Sequence, residues 1–321
     1  MKKLMTTFAV GLTLAASGVM AQNTTLTIAT GGTGGVYYPI GGGLGEMIGR
    51  HIDGYTGVAE VTGASVENMA LISRGDSDLA LALSDTVIQA FNGEGAFDGR
   101  PLTMLRGLGS IYPNAIQIVT LANSDIHSLS DLVGKRVSVG APGSGTEVSA
   151  NTLLEANGIS ASDFNAQRLN FNETADALRN GDIDAGFWSV GPPTSSIMSL
   201  AIARNIRIIE LSEQEIANAI AAEPVFAVFN LPAGTYEGVN EVVTTIGTPN
   251  VLVVNADMDE QLAYDITRMM YDHVQELRDV HPSANNLTVE FSLGATPIPM
   301  HPGALRYYEE TGMPIPDRLR E

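Results

Sequence analysis

The chain has 321 residues, no cysteine, and a formal charge of −19, from 36 acidic and 17 basic side chains. Such acidity excludes nucleic acid and anionic membrane as natural partners, because like charges repel at both surfaces. The absence of cysteine excludes a disulfide framework and an N-terminal lipid anchor on cysteine.

The chain opens as an export signal. Lys2 and Lys3 precede a mostly apolar run, Leu4–Val19, and Ala21 stands where a signal peptidase cuts. The run is too short to span a bilayer. Residues 1–21 are therefore expected to be removed after Ala21, leaving a charge of −21 once Lys2 and Lys3 are gone. An exported protein without an anchor fits a periplasm between two membranes. Roughly 300 remaining residues can form two lobes.

The stretch Thr25–Arg50 predicts a short strand through Leu26, Ile28 and Thr30, a turn with four glycines over Thr30–Gly35, and a helix over Val36–Arg50. Pro39 suits the first turn of that helix. A strand, a tight turn and a helix start gather backbone N–H groups that lack intrahelical partners, a natural anion cradle. A βα turn without any ligand would have the same sequence.

A strand at Ala59–Thr62 follows, then a helix over Val66–Arg74 with Ser65 as N-cap and Gly75 as its stop. Leu79–Leu83 (LALAL) is apolar on both faces, as a buried parallel strand is. Ser84 and Asp85 stand at its carboxyl end, before a helix over Thr86–Phe91. Two strands are expected at Thr103–Leu108 and Ala115–Leu121, then a short helical turn over Ser128–Arg136 and a strand at Val137–Gly140. A second glycine turn, Gly140–Glu147 (GAPGSGTE), leads to a helix over Val148–Asn157.

The chain then nearly repeats itself. Ser65–Asp85 and Phe171–Val190 both read as helix, Gly-Asp-x-Asp turn, buried strand and polar tip. The glycine turns and the Gly-Asp turns are each offset by roughly 107 residues, which predicts two similar lobes. Each lobe should be a mostly parallel sheet flanked by helices, with a ligand cleft between lobes at the strand tips. Later come strands at Ile206–Leu211 and Val225–Asn230 and a capping box Ser212-x-x-Glu215 for Glu213–Ala222. Asn250–Asn255 is expected to be the return crossing. A long helix over Met258–Val280, capped at Asp257, and a helical tail over Ala304–Glu310 close the chain.

No catalytic pattern assembles. Tyr37 occupies the third glycine place of a dinucleotide fingerprint, and no Lys precedes the hydroxyl residue in Gly140–Thr146. Gly143-Ser144-Gly145 lacks the spacing of a nucleophile elbow. None of the five histidines has metal-ligand spacing with another. The pairs Asp76/Asp78 and Asp182/Asp184 read as turn formers. No enzyme activity, cofactor or metal is expected. The candidate ligand-binding residues are Thr33, Gly34, Gly35, Tyr37, Tyr38, Asn68, Ser84, Asp85, Gly143, Ser144, Gly145, Thr146, Glu147 and Trp188. Backbone amides and hydroxyls would hold carboxylates, and the aromatic rings would close over an aliphatic body.

These residues carry a resemblance. The segments GGTGGVYYPIGG at Gly31–Gly42, SVEN at Ser65–Asn68, GDSDLALALSD, GAPGSGTE, Gly191-Pro192-Pro193 and the terminal HPGALRYYEETG resemble the TAXI-type substrate-binding proteins of tripartite ATP-independent periplasmic (TRAP) transporters. The resemblance implies a two-lobed periplasmic binding-protein fold of type II-like form, with lobes joined by crossing strands. It divides the chain into residues 22–114 plus 249–321 for lobe I and 115–248 for lobe II. It implies a monomer that captures a small organic anion, commonly a glutamate- or 2-oxoglutarate-like carboxylate, and delivers it to TRAP membrane permease subunits. A sensor module for a membrane receptor and an exported enzyme of the same fold are the alternatives. Leu83 stands where the family usually has Gln, and no Arg falls within the glycine motifs.

Overall fold

The computed structural model describes residues 23–320; the signal segment and its cleavage after Ala21 lie outside the described residues. The chain begins with β1 (Thr24–Ala29), α1 (Tyr37–His51) and β2 (Tyr55–Glu60). It continues with α2 (Ser65–Arg74), β3 (Leu79–Leu83) and α3 (Ser84–Asn92). β1 pairs in parallel with both β2 and β3, and β3 is buried at every position. α1 lays Ile40, Leu44, Met47 and Ile48 against this sheet.

The segment expected to be two strands is one. β4 runs unbroken from Leu105 to Leu121, and Pro113 does not interrupt it. Its length decides the architecture. Gly107–Ala115 pairs antiparallel with β10 (Val243–Asn255), and Ala115–Thr120 pairs antiparallel with β7 (Ala185–Val190). β10 also serves two sets of neighbours. Asn250–Val254 pairs with β3, and Val243–Gly247 pairs with β9 (Ala227–Leu231). Two long strands thus join one half of the molecule to the other, and β10 begins well before the expected Asn250. A single mixed sheet results, ordered β2-β1-β3-β10-β4-β7-β5-β6, where β5 is Arg136–Ser138 and β6 is Asn165–Gln167. Its parallel strands lie toward the two ends.

The second half repeats the first. β5 (Arg136–Ser138) pairs in parallel with β6 (Asn165–Gln167) and β7. Between them lie α4 (Gly145–Ala156) and α5 (Phe171–Asn180). α6 (Ser195–Ala203), β8 (Ile206–Ile208) and α7 (Glu213–Ala222) follow, the last with the expected Ser212–Glu215 capping box. Three cores lie against the sheet. One is continuous from Leu26 and Leu44 to Leu178 and Trp188, and the others line the opposite face in each half.

The two Gly-Asp-x-Asp turns perform one task. Gly75 and Gly181 end α2 and α5 in the left-handed region, at φ 71° and 78°. Asp78 then accepts the Thr27 N–H at 2.7 Å, and Asp184 accepts the Arg136 N–H at 2.8 Å. Each aspartate N–H returns a bond to the carbonyl of the same partner. The second aspartate of each turn therefore fixes the register of a parallel strand pair. Asp78→Ala and Asp184→Ala should each lower unfolding free energy by about 1–2 kcal/mol, measured by denaturant titration, as loss of hydrogen bonds to a charged acceptor does.

Three expected helix ends are displaced. Ser65 does not cap α2, because its Oγ accepts the Leu83 N–H at 3.1 Å and the cap position falls to Ala64. Asp259, not Asp257, caps the long helix, by accepting the Leu262 N–H at 2.9 Å. That helix is also two: α8 (Glu260–Asp272) and α9 (Val274–Val280) meet at His273. After α10 (Val289–Ala295), α11 (Pro302–Glu310) returns to α8 and to β4 in the first half. No described helix is long and apolar enough to cross a membrane.

Candidate ligand-binding site

α1 and α4 both begin at one small cavity of about 40 Å³ between the two halves. From the first glycine turn it is lined by Gly31, Gly32, Gly35, Val36 and Tyr37, and from the second by Gly145 and Thr146. Ala64, Ser65, Leu83, Asn114, Phe171, Ser189 and Val190 complete the wall. The two cradles therefore face each other across a shared space. Helix N-termini carry unpaired N–H groups and the positive end of the helix dipole. Two of them converging on one cavity make a positive site without a formal charge, since no lining side chain is an acid or base of the Asp, Glu, His, Lys or Arg kind.

The floor is a hydrogen-bonded row across the crossing strands. The buried Tyr37 hydroxyl donates to Asn250 Oδ1. Asn250 Nδ2 donates to Asn114 Oδ1 at 2.8 Å, and Asn114 Nδ2 to the Ser189 carbonyl at 2.9 Å. Burial pushes the Tyr37 phenol well above its ordinary pKa, so it stays a donor. The Ser189 hydroxyl lines the cavity and has no partner among the described residues. A buried hydroxyl without a protein partner can be satisfied by a ligand or by water.

Of the fourteen residues singled out in the sequence, Gly35, Tyr37, Gly145 and Thr146 line the cavity. The others stand around it. The Gly34 carbonyl accepts from the Thr194 hydroxyl at 3.0 Å and from the Ser196 hydroxyl at 2.8 Å, across the cleft. The Gly143 carbonyl accepts from the Val66 and Glu67 N–H groups at 3.1 and 3.3 Å, also across it. Ser144 caps α4 by accepting the Glu147 N–H. Glu147 bonds Arg168 at 2.5 Å and accepts the Gly143 N–H at 3.2 Å. The Gly34 and Gly143 contacts brace a closed cleft, while those of Ser144 and Glu147 stay within the second half.

Asn68 is spent on the backbone: its Nδ2 donates to the Thr30 and Leu81 carbonyls at 2.7 and 2.8 Å, and its Oδ1 accepts from Thr62. Thr33 is exposed and meets Asn172 at 3.4 Å. Tyr38 is 37% exposed and turns away from the cavity wall. Trp188 lies behind Phe171 with ring centroids 6.1 Å apart, and its indole N–H donates to Ser196 at 3.1 Å. Phe171 takes the place at the wall expected for Trp188. Ser84 is buried, its hydroxyl without a partner among the described residues. Asp85 is buried at the start of α3 and accepts the Ser149 hydroxyl of α4 at 2.5 Å. Burial pushes its carboxyl up to about 6, against the hydrogen bonds from Ser149 and Thr86 that lower it.

Asn114, Phe171 and Ser189 escape a sequence reading because nothing local marks them; a mid-strand Asn and a helix-start Phe become wall only when the halves meet. The histidines show the same limit. His51 and His273 lie far apart in the chain, yet their rings stack at 3.6 Å.

Residues 28–312 match the NMT1-like family, nearly the whole described chain. The chain belongs to the NMT1-like family. Among solved structures, this NMT1-like fold is similar to a candidate L-cystine ABC transporter protein from Listeria monocytogenes. That match has 14% identity over 80% of this chain and 93% of the other, with a TM-score of 0.52. It is also similar to an ancestral arginine-binding protein bound to arginine, at 16% identity over 80% and 96%, with a TM-score of 0.50. These likenesses establish the fold of the NMT1-like chain as that of the periplasmic solute-binding proteins.

Proposed function

We propose that this NMT1-like chain is an extracytoplasmic receptor that closes on one small organic carboxylate and delivers it to a membrane permease. The observation that carries this reading is the cavity shared by the N-termini of α1 and α4, with the unpartnered Ser189 hydroxyl in its wall. The backbone N–H groups of Tyr37, Gly145 and Thr146 and the Thr146 hydroxyl would bind the carboxylate, with Gly35 forming the turn beside them. Gly34, Gly143 and Asp85 would hold the cleft shut around it, and Ser144 and Glu147 would shape the start of α4. No Arg clamp lines the cavity, so a carboxylate of the glutamate or 2-oxoglutarate kind would be held by backbone N–H and hydroxyl donors. The arginine-bound neighbour supports placing α-amino acids in the ligand panel.

The two lobes of this reading are residues 22–114 with 249–321, and 115–248. β4 and β10 change pairing partners close to those boundaries, which suits a hinge. The glycine motifs favour the TAXI type and a TRAP permease as recipient, with the periplasm as compartment.

The test is thermal unfolding of the mature chain against a panel of dicarboxylates, 2-oxoacids and amino acids. One compact carboxylate should raise Tm saturably, by the mass-action stabilisation of a ligand bound only to the native state. A flat response across the panel, with the protein folded, overturns the reading.

A further inference from the structure

The strongest chemistry outside the cleft lies at the other end of α1. At about 1.5 Å per residue, its C-terminal end stands roughly 20 Å from the cavity. There His51 Nε2 lies 2.7 Å from Glu276 Oε1, and His273 Nδ1 lies 3.7 Å from the same oxygen. One ligand atom from each of the three residues falls within 4.8 Å of the others. All three side chains keep solvent access, at 20, 40 and 30% exposure for His51, His273 and Glu276. Arg50 binds the second oxygen, Oε2, and leaves Oε1 to the imidazoles.

We propose that His51, His273 and Glu276 form a binding site for a divalent transition-metal ion such as Zn²⁺. Two imidazole nitrogens and a carboxylate oxygen are a donor set suited to zinc, copper or nickel, with water completing the shell. The i, i+3 spacing of His273 and Glu276 places both on one face at the start of α9. His51 reaches them from the end of α1. The rings stack with 9° between their planes, so an ion lying in both ring planes requires one imidazole to turn about Cβ–Cγ. That torsion has broad wells, and the solvent access gives it room. An open groove of about 460 Å³, lined by His51, Asp53, Asp265, Asp272 and His273 among others, gives the ion a path with an acidic rim. Arg268 occupies Asp272 at 2.9 Å, so Asp53 and Asp265 supply most of that attraction. A bound ion would pin α1 to α9 and stabilise the native chain without touching the solute cavity.

The experiment uses the full mature chain stripped with chelator, titrated calorimetrically with ZnCl₂ and unfolded thermally with ZnCl₂, MgCl₂ or CaCl₂. One equivalent of Zn²⁺ should bind and raise Tm, while Mg²⁺ and Ca²⁺ do not. His51→Gln and Glu276→Gln should each weaken Zn²⁺ binding at least tenfold. His273→Gln, at the most exposed of the three positions, repeats the test should either variant fold poorly. Co²⁺ should give visible absorption bands that the same substitutions remove. Absence of saturable Zn²⁺ binding, equal binding in the variants, or an equal response to Mg²⁺ overturns the proposal.

Discussion

Gly145→Val should weaken binding of the stabilising carboxylate by roughly 10- to 100-fold while leaving the ligand-free chain folded. Gly145 opens α4 at the point where the two halves touch. A Cβ there would stand 2.5 Å from Ser65 Oγ and 2.7 Å from Leu83 Cδ1. Ser65 cannot turn aside freely, because its Oγ accepts the Leu83 N–H. The start of α4 would have to retreat from α2, and the Val66 and Glu67 bonds to the Gly143 carbonyl would lengthen with it. Overpacking of this kind costs about 1–3 kcal/mol. The cost falls on the closed form alone, and each 1.4 kcal/mol is about a tenfold loss of affinity. Calorimetric titration measures the loss, and small-angle scattering should show the ligand-bound variant more extended than the unaltered chain. Unchanged affinity would mean that the cleft does not close on its ligand at this point.

Asp85→Asn should remove a pH dependence of stability. In the folded chain burial holds the Asp85 carboxyl at about 6, against an ordinary value of 3.8. A raised carboxyl binds its proton more tightly when folded than when unfolded. Its contribution therefore favours the native state most below about pH 4, declines as pH rises through about 6, and is constant above. Two pKa units correspond to about 3 kcal/mol at most. The stability of Asp85→Asn relative to the unaltered chain should accordingly rise by up to about 3 kcal/mol between pH 4 and pH 7. Denaturant titrations at four pH values across that range measure it. A pH-independent difference would show that the carboxyl is not held protonated by burial.

Much of the fold is legible locally. The helix over Glu213–Ala222 and its capping box need only the Ser212–Glu215 spacing. The stop at Gly75 needs only a residue that accepts φ near 71°. Leu79–Leu83 announces a strand covered on both faces because no polar side chain interrupts it. The misread elements are those whose ends depend on distant partners. The segment between the expected strands Thr103–Leu108 and Ala115–Leu121 reads as a connection, yet one strand runs through it because β10 pairs with it on one side. His273 reads as one more helix position, yet the axis breaks there.

The amino-acid sequence by itself determined the two glycine turns, the paired Gly-Asp-x-Asp units and the alternation of strand and helix. These rest on backbone dihedrals and side-chain periodicity, which act within a few residues. Only the tertiary structure decided that both helix starts share one cavity, that Phe171 and Ser189 wall it, and that Asn68 and Trp188 serve as supports behind it. It also decided that His51 and His273 meet. Such contacts depend on how two long strands carry one half of the chain against the other, and no local pattern records a distance across that space.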